Sequence, residues 1–232
     1  MKNILLIGGS AGIGQAICNL TQSDYNVFVA SRTAESLAGM NVTHIAFDAL
    51  SDTLDTSVLP AVIDGFVYCP GSINLRPFRG LKFETFEADM NINFFSMVKI
   101  VQQILPQLTA SPQSSIVLFS SVAASMGMPF HTSIAAAKGA IEGFAKALAA
   151  EYAPKIRVNV IAPSLTNTPL ADKFLNNESK QEKAAERHPL KRFGNADDLA
   201  QMAVFLLSEK SSWMSGQILH VDGGMSTLLV NG

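Results

Sequence analysis

Tyrosine, cysteine, tryptophan and charge are all scarce: three, two and one residues of the first three types in a chain of 232, and 16% charged positions. Cys18 and Cys69 lack the paired spacing of a metal site and lie in apolar surroundings, which argues against a disulfide framework and for buried reduced thiols in the cytoplasm. No metal site is expected. A formal charge of −2 supplies no broad basic surface, so nucleic acid and anionic membranes are excluded as main partners, and a small-molecule substrate fits better. Nowhere do about 18 apolar residues run uninterrupted, as a membrane span requires, and the apolar run in the opening MKNILLIGG is too short for a signal core. The phenols are Tyr25, Tyr68 and Tyr152 alone.

What the chain does have is 48% hydrophobic residues, enough for one substantial core, and a single domain over residues 1–232 is expected. Short runs rich in Ile, Val and Phe recur at 4–8, 27–30, 44–47, 65–69, 115–120, 157–162 and 217–221. Continuous apolar strands alternating with helical segments predict an α/β fold, a doubly wound, Rossmann-type parallel sheet with helices on both faces. Helices are expected over 92–105 and 135–153, each apolar or small on more than one face, a surplus that points to subunit packing. The polar segment DKFLNNESKQEKAAERHPLKR (172–192) carries both charge signs and follows the sixth strand, where a mobile substrate lid over 165–193 is expected.

The first strand runs directly into GGSAGIGQAI, where Gly8, Gly12 and Gly14 open a helix and enclose Ser10 and Ile13. Glycine permits a tight turn and close backbone approach, and the helix start offers free N–H groups to a diphosphate. The second strand ends in Ser31 and Arg32, where a site selecting NAD(H) usually presents a carboxylate to the ribose. Serine can hydrogen-bond a 2′-phosphate and arginine can pair with it, so NADP(H) is preferred over NAD(H). Asp48 either meets the adenine amino group or caps the turn after it.

Together, the glycine loop, Ser121, Lys138, the strand RVNVIAPS and the tail GQILHVDGG make the chain resemble the short-chain dehydrogenase/reductase family over its whole length. That resemblance implies a seven-stranded sheet, a nicotinamide coenzyme, and a homotetramer or homodimer built on the two long helices. It implies coenzyme contacts at Gly71, Pro163 and Thr168, and catalytic roles for Asn93, Ser121 and Lys138. The family's tyrosine, four residues before the lysine, corresponds to Ile134. Removing a positioned general acid typically costs about 10²–10⁴-fold, so proton delivery is expected to be atypical. His131 precedes Lys138 by seven residues, the separation found for tyrosine in enoyl reductases of the superfamily. It would share a helical face with Ile134 and Lys138 if the helix reached back to Pro129, and it is the candidate surrogate acid. Two functions therefore compete: an NADP(H)-dependent oxidoreductase acting on a small carbonyl, alcohol or activated alkene, and a non-catalytic NADP(H)-binding sensor or scaffold.

Overall fold

The computed structural model describes residues 1–229. In chain order the strands are β1 (Lys2–Ile7), β2 (Tyr25–Ser31), β3 (Val42–Ala46), β4 (Gly65–Tyr68), β5 (Ser114–Phe119), β6 (Ile156–Pro163), β7 (Thr166–Asn167), β8 (Gly194–Asn195) and β9 (Ile218–Val221). All seven expected apolar runs are strands of one sheet, ordered β3-β2-β1-β4-β5-β6-β9, and every ladder in it is parallel. The short β7 and β8 pair only with each other. The helices are α1 (Gly12–Thr21), α2 (Phe83–Met90), α3 (Ser96–Ala110), α4 (Thr132–Tyr152), α5 (Asp172–Leu175), α6 (Glu178–Glu186) and α7 (Ala196–Leu207).

The sheet is apolar throughout because its strands bury both faces, and period-2 alternation assigns each residue to one of two cores. Leu5, Phe66 and Ile116 point to one side, where α3 and α4 deliver Met97, Ile104, Ile141 and Leu148. Their sequence neighbours Leu6, Val67 and Val117 point to the other, where α1 and α7 supply Ile17, Leu199 and Ala203. Each core excludes water from one sheet face, which is the main driving force for the architecture.

Two helix boundaries differ from expectation, and both bear on the site. The helix expected over 92–105 is α3, which begins only at Ser96 and runs to Ala110, because the chain leaves α2 through a π-helical turn at Asn91–Phe95. Such a turn widens one helical step and re-aims a side chain, here Asn93. α4 starts at Thr132 and does not reach Pro129, because Phe130 has a φ of 70°, incompatible with helix continuation. The strand order reverses direction at β1 and β4, so the crevice forms beyond their carboxyl ends, where open α/β sheets bind ligands. Among the described residues, no helix is long and apolar enough to cross a membrane.

Candidate functional site

The turn after β1 depends on glycine for space. A Cβ on Gly14 would lie 2.4 Å from the Gly8 carbonyl oxygen, so the first turn of α1 packs directly on the strand end. Gly12 opens that helix at a φ of 53°, and a Cβ there would meet Thr168 at 3.3 Å. The residue before it, Ala11, makes no side-chain cap, so the amide groups of the first turn are not claimed from within the helix. A backbone cradle with uncommitted donors at a helix start fits a diphosphate.

At the end of β2 one expectation needs correction. Ser31 is buried, and its hydroxyl donates to the Thr33 carbonyl at 2.9 Å and lies 3.1 Å from His44 Nε2. The alternation of β2 turns it inward, and its hydroxyl is already engaged by Thr33 and His44. Arg32 and Thr33 are exposed there instead, and Ser10 Oγ lies 3.3 Å from Thr33 Oγ1. Asp48 caps its own turn: Oδ1 accepts from the Leu50 amide at 2.9 Å.

The catalytic candidates gather across α4, β5 and the π-turn. Ser121 Oγ accepts from the Ala123 amide at 3.2 Å, which leaves its own proton free for an acceptor in the cleft. Lys138 donates from Nζ to the Phe119 carbonyl at 2.9 Å. Burial lowers its pKa from 10.5 to about 8, against the opposing pull of the Asp89 carboxylate. Asn93 is fully buried; its Nδ2 donates to Ser72 Oγ at 2.9 Å and to the Asp89 carbonyl at 2.8 Å, and its Oδ1 has no partner. A Cβ on Gly71 would lie 3.0 Å from that Oδ1 and 3.5 Å from Lys138 Nζ, so Gly71 leaves the gap between them open.

Ile134, 4% exposed, lines the same cavity as Ser121 and Lys138, and no tyrosine does. His131 also lines it, although it precedes α4 instead of lying within it. The shared helical face is therefore a correction: the left-handed Phe130 ends the helix, and the loop presents His131. Its Nδ1 lies 2.7 Å from the Pro129 carbonyl and must carry the proton to donate to it, so Nε2 is uncommitted.

Two arrangements left no trace in the sequence pattern. The buried Asp89 carboxylate accepts from Ser72 Oγ at 2.5 Å, Asn74 Nδ2 at 2.7 Å and Ser133 Oγ at 2.6 Å, tying α2, α4 and the loop after β4 to the amide of Asn93. The second is a pair on the cavity wall, Ser164 Oγ to His188 Nε2 at 2.8 Å, with His188 Nδ1 donating to the Ala184 carbonyl at 2.6 Å. Asp89 lies one helical turn before Asn93, a spacing too common to single it out.

The lowered lysine pKa gives a stability signature. Between about pH 8 and 10.5 the unfolded chain holds the Lys138 proton that the folded protein has released, so stability rises with pH across that window. Relative to Lys138→Met, which cannot titrate, the parent gains up to about 3 kcal/mol between the two limits. Denaturant midpoints measured for both proteins from pH 7 to about 10.5 check it; parallel curves would show an unshifted lysine.

Comparison with known proteins agrees with this geometry. A family profile described as enoyl-(acyl carrier protein) reductase matches residues 9–226. A 3-oxoacyl-(acyl-carrier-protein) reductase of Thermotoga maritima is 31% identical over 97% of this chain and 97% of its own. A tropinone reductase homologue of Arabidopsis thaliana is 32% identical over 99% of this chain and 94% of its own. The aldohexose dehydrogenase of Thermoplasma acidophilum, solved in ligand-free form, superposes with a TM-score of 0.90 at 25% identity, covering 100% of this chain and 96% of that one. With the sheet order, the glycine turn and the match over nearly the whole length in agreement, this chain belongs to the short-chain dehydrogenase/reductase family of oxidoreductases.

Proposed function

We propose that the protein is an NADP(H)-dependent oxidoreductase acting on a small carbonyl, alcohol or activated alkene, with proton delivery that does not use a tyrosine. The observation that carries this reading is the cavity of about 560 Å³ beyond the sheet, in which Ser121, Lys138 and His131 converge while Ile13 and Thr168 of the glycine-turn region form another part of its wall. The coenzyme supplies or takes the hydride. Gly8, Gly12 and Gly14 hold its diphosphate, Ser10 and Arg32 meet the adenosine end, and Gly71, Pro163 and Thr168 flank the nicotinamide. The relatives named above are reductases and a dehydrogenase by description, which is consistent with redox chemistry here.

Ser121, its hydroxyl oxygen already accepting from a backbone amide, donates a hydrogen bond to the substrate oxygen and polarises it while keeping its own proton. Lys138, fixed by the Phe119 carbonyl, holds the nicotinamide ribose. The unpartnered Asn93 Oδ1, facing the gap beside Gly71, holds a water; an acceptor so buried and left empty would cost about 1–3 kcal/mol. His131, in its imidazolium form, replaces the phenol: Nδ1 keeps the proton that it donates to the Pro129 carbonyl, and Nε2 gives its proton to the substrate oxygen, leaving the neutral ring. The segment 165–193 covers the cavity as a lid, contributing Leu170, Phe174 and His188 to its wall. Copies of the chain associate through α3 and α4; Gly139 and Gly143 present open space on the outer face of α4, which allows close helix approach.

The test combines calorimetry with NADPH and NADH and a turnover screen against ketones, quinones and enoyl compounds. NADPH is expected to bind more tightly than NADH, with slow oxidation by at least one substrate class. Arg32→Glu is expected to weaken NADPH by tenfold or more, on the order of one charge-assisted hydrogen bond, and to leave NADH unharmed. Binding without turnover of any class would favour a sensor or scaffold; absence of binding to either coenzyme would end the reading.

A further inference from the structure

The lid is polar in composition, but its charges are sorted. Along α6 and its first flanking residue, Lys180, Lys183 and Arg187 fall within about 60° of one another on a helical wheel, while Glu178, Glu182 and Glu186 fall within about 80° on a different side. The cationic side faces the cavity. Lys173, Lys180, Lys183 and Arg187 line it together with Lys138, and no Asp or Glu does. The whole chain has 17 basic and 19 acidic side chains, so an all-cationic lining in a protein of net charge −2 is not what an evenly mixed surface would give. A merely solvated helix would have no reason to turn its glutamates away from the cleft.

Two of these cations are held in place. Lys173 Nζ donates across the cleft to the Ile73 carbonyl at 2.8 Å, and Lys180 Nζ donates to the Lys173 carbonyl and to Asn176 Oδ1, both at 2.8 Å. None of the four lid cations takes part in an ion pair among the described residues. Their positive field is therefore directed at the cleft without a carboxylate to neutralise it. The remaining wall is mainly apolar, with Leu75, Ile134, Leu170, Phe174 and Met225, broken by hydroxyl and imidazole groups such as Ser121, Ser164 and His188. An apolar chamber with a cationic rim has the shape of a binding site for an amphipathic anion.

We propose that the substrate carries an anionic head group, a carboxylate or phosphate ester, bound by Lys183 and Arg187 at the lid while its apolar body and carbonyl extend toward Ser121. This rests on the reading of the cavity as the substrate site. Arginine presents a planar fork to carboxylate or phosphate, and lysine a point charge beside it. The diphosphate cradle at Gly12 and the exposed Arg32 already account for the anionic groups of a bound coenzyme, so the lid cations serve a different ligand.

The experiment compares matched pairs on NADPH-saturated protein by calorimetry: levulinate against methyl levulinate, and dihydroxyacetone phosphate against dihydroxyacetone. The anionic member of at least one pair is expected to bind tenfold or more tightly than its neutral partner, about one charge-assisted contact, with the advantage shrinking as salt is added. The pair showing the effect identifies carboxylate or phosphate as the head group. Lys183→Gln combined with Arg187→Gln should abolish the advantage and leave NADPH affinity unchanged, which also reports that the variant is folded. Equal binding within both pairs, no binding by any of the four ligands, or loss of NADPH affinity in the double variant would overturn the proposal, the last by assigning the cations to the coenzyme. The pairs are run without coenzyme as well, so that a parent unable to bind NADPH fails the coenzyme reading alone while the ligand comparison still decides this one.

Discussion

Ile134→Tyr is expected to raise NADPH-dependent ketone reduction by about 10²–10⁴-fold, the usual contribution of a positioned general acid. Ile134 is buried on α4 one turn before Lys138, and both line the cavity that Ser121 enters from β5. A phenol at this place would lie near an ammonium that is mostly charged below about pH 8, and that charge would favour the phenolate and lower its pKa. The larger ring has an open cavity to enter, so overpacking should cost no more than about 1–3 kcal/mol of stability. Ile134→Phe is the matched control, with the same ring and no hydroxyl. Steady-state kinetics of parent, Tyr and Phe proteins on one ketone, with coenzyme affinity measured for each, separates proton donation from repacking. Equal rates in the Tyr and Phe variants would show that position 134 has no part in proton transfer.

Gly14→Ala is expected to cost about 2–4 kcal/mol of stability and to weaken NADPH by a hundredfold or more, the size of effect that follows when backbone must move around a new atom. The added methyl would stand 2.4 Å from the Gly8 oxygen and 2.9 Å from the Gly9 Cα, and neither is the end of a flexible side chain. Relief requires α1 to lift from β1, which spreads the very amides that would hold a diphosphate. Gly80→Ala is the internal comparison, since a Cβ there meets nothing within 4 Å and the residue lies in the turn Phe78–Gly80, away from α1, α3 and α4. It should be neutral or stabilising by about 0.5–1 kcal/mol, because alanine has less backbone entropy to lose on folding. Denaturant unfolding and NADPH titration of both variants check the pair. A Gly14→Ala protein with unaltered coenzyme affinity would mean that this turn is not the diphosphate cradle.

Much of the scaffold can be read without coordinates for one reason: a strand buried on both faces has no polar side to show, so the runs ILLI, FVY and SIVLF announce themselves as unbroken apolar stretches. The glycine turn is legible for a related reason, since close backbone approach admits only one residue type there. Ser121 and Lys138 are legible as a pattern and do line one cavity. The failures are equally physical. Whether Ser31 faces a ligand or the interior depends on the pleat at the last residue of β2, and the pleat turns it inward. Whether His131 belongs to α4 depends on the φ of Phe130.

By itself, the sequence determined the layered α/β sheet, the place of the glycine turn and the absence of a tyrosine one turn before Lys138, because each of these is written in local residue type and spacing. Only the tertiary structure decided that Asp89 gathers Ser72, Asn74 and Ser133 around Asn93, and that α6 turns its cations and not its glutamates to the cleft. Those outcomes depend on which segments the sheet brings together and how a helix is rotated about its axis, and a one-dimensional pattern of charges is compatible with either rotation.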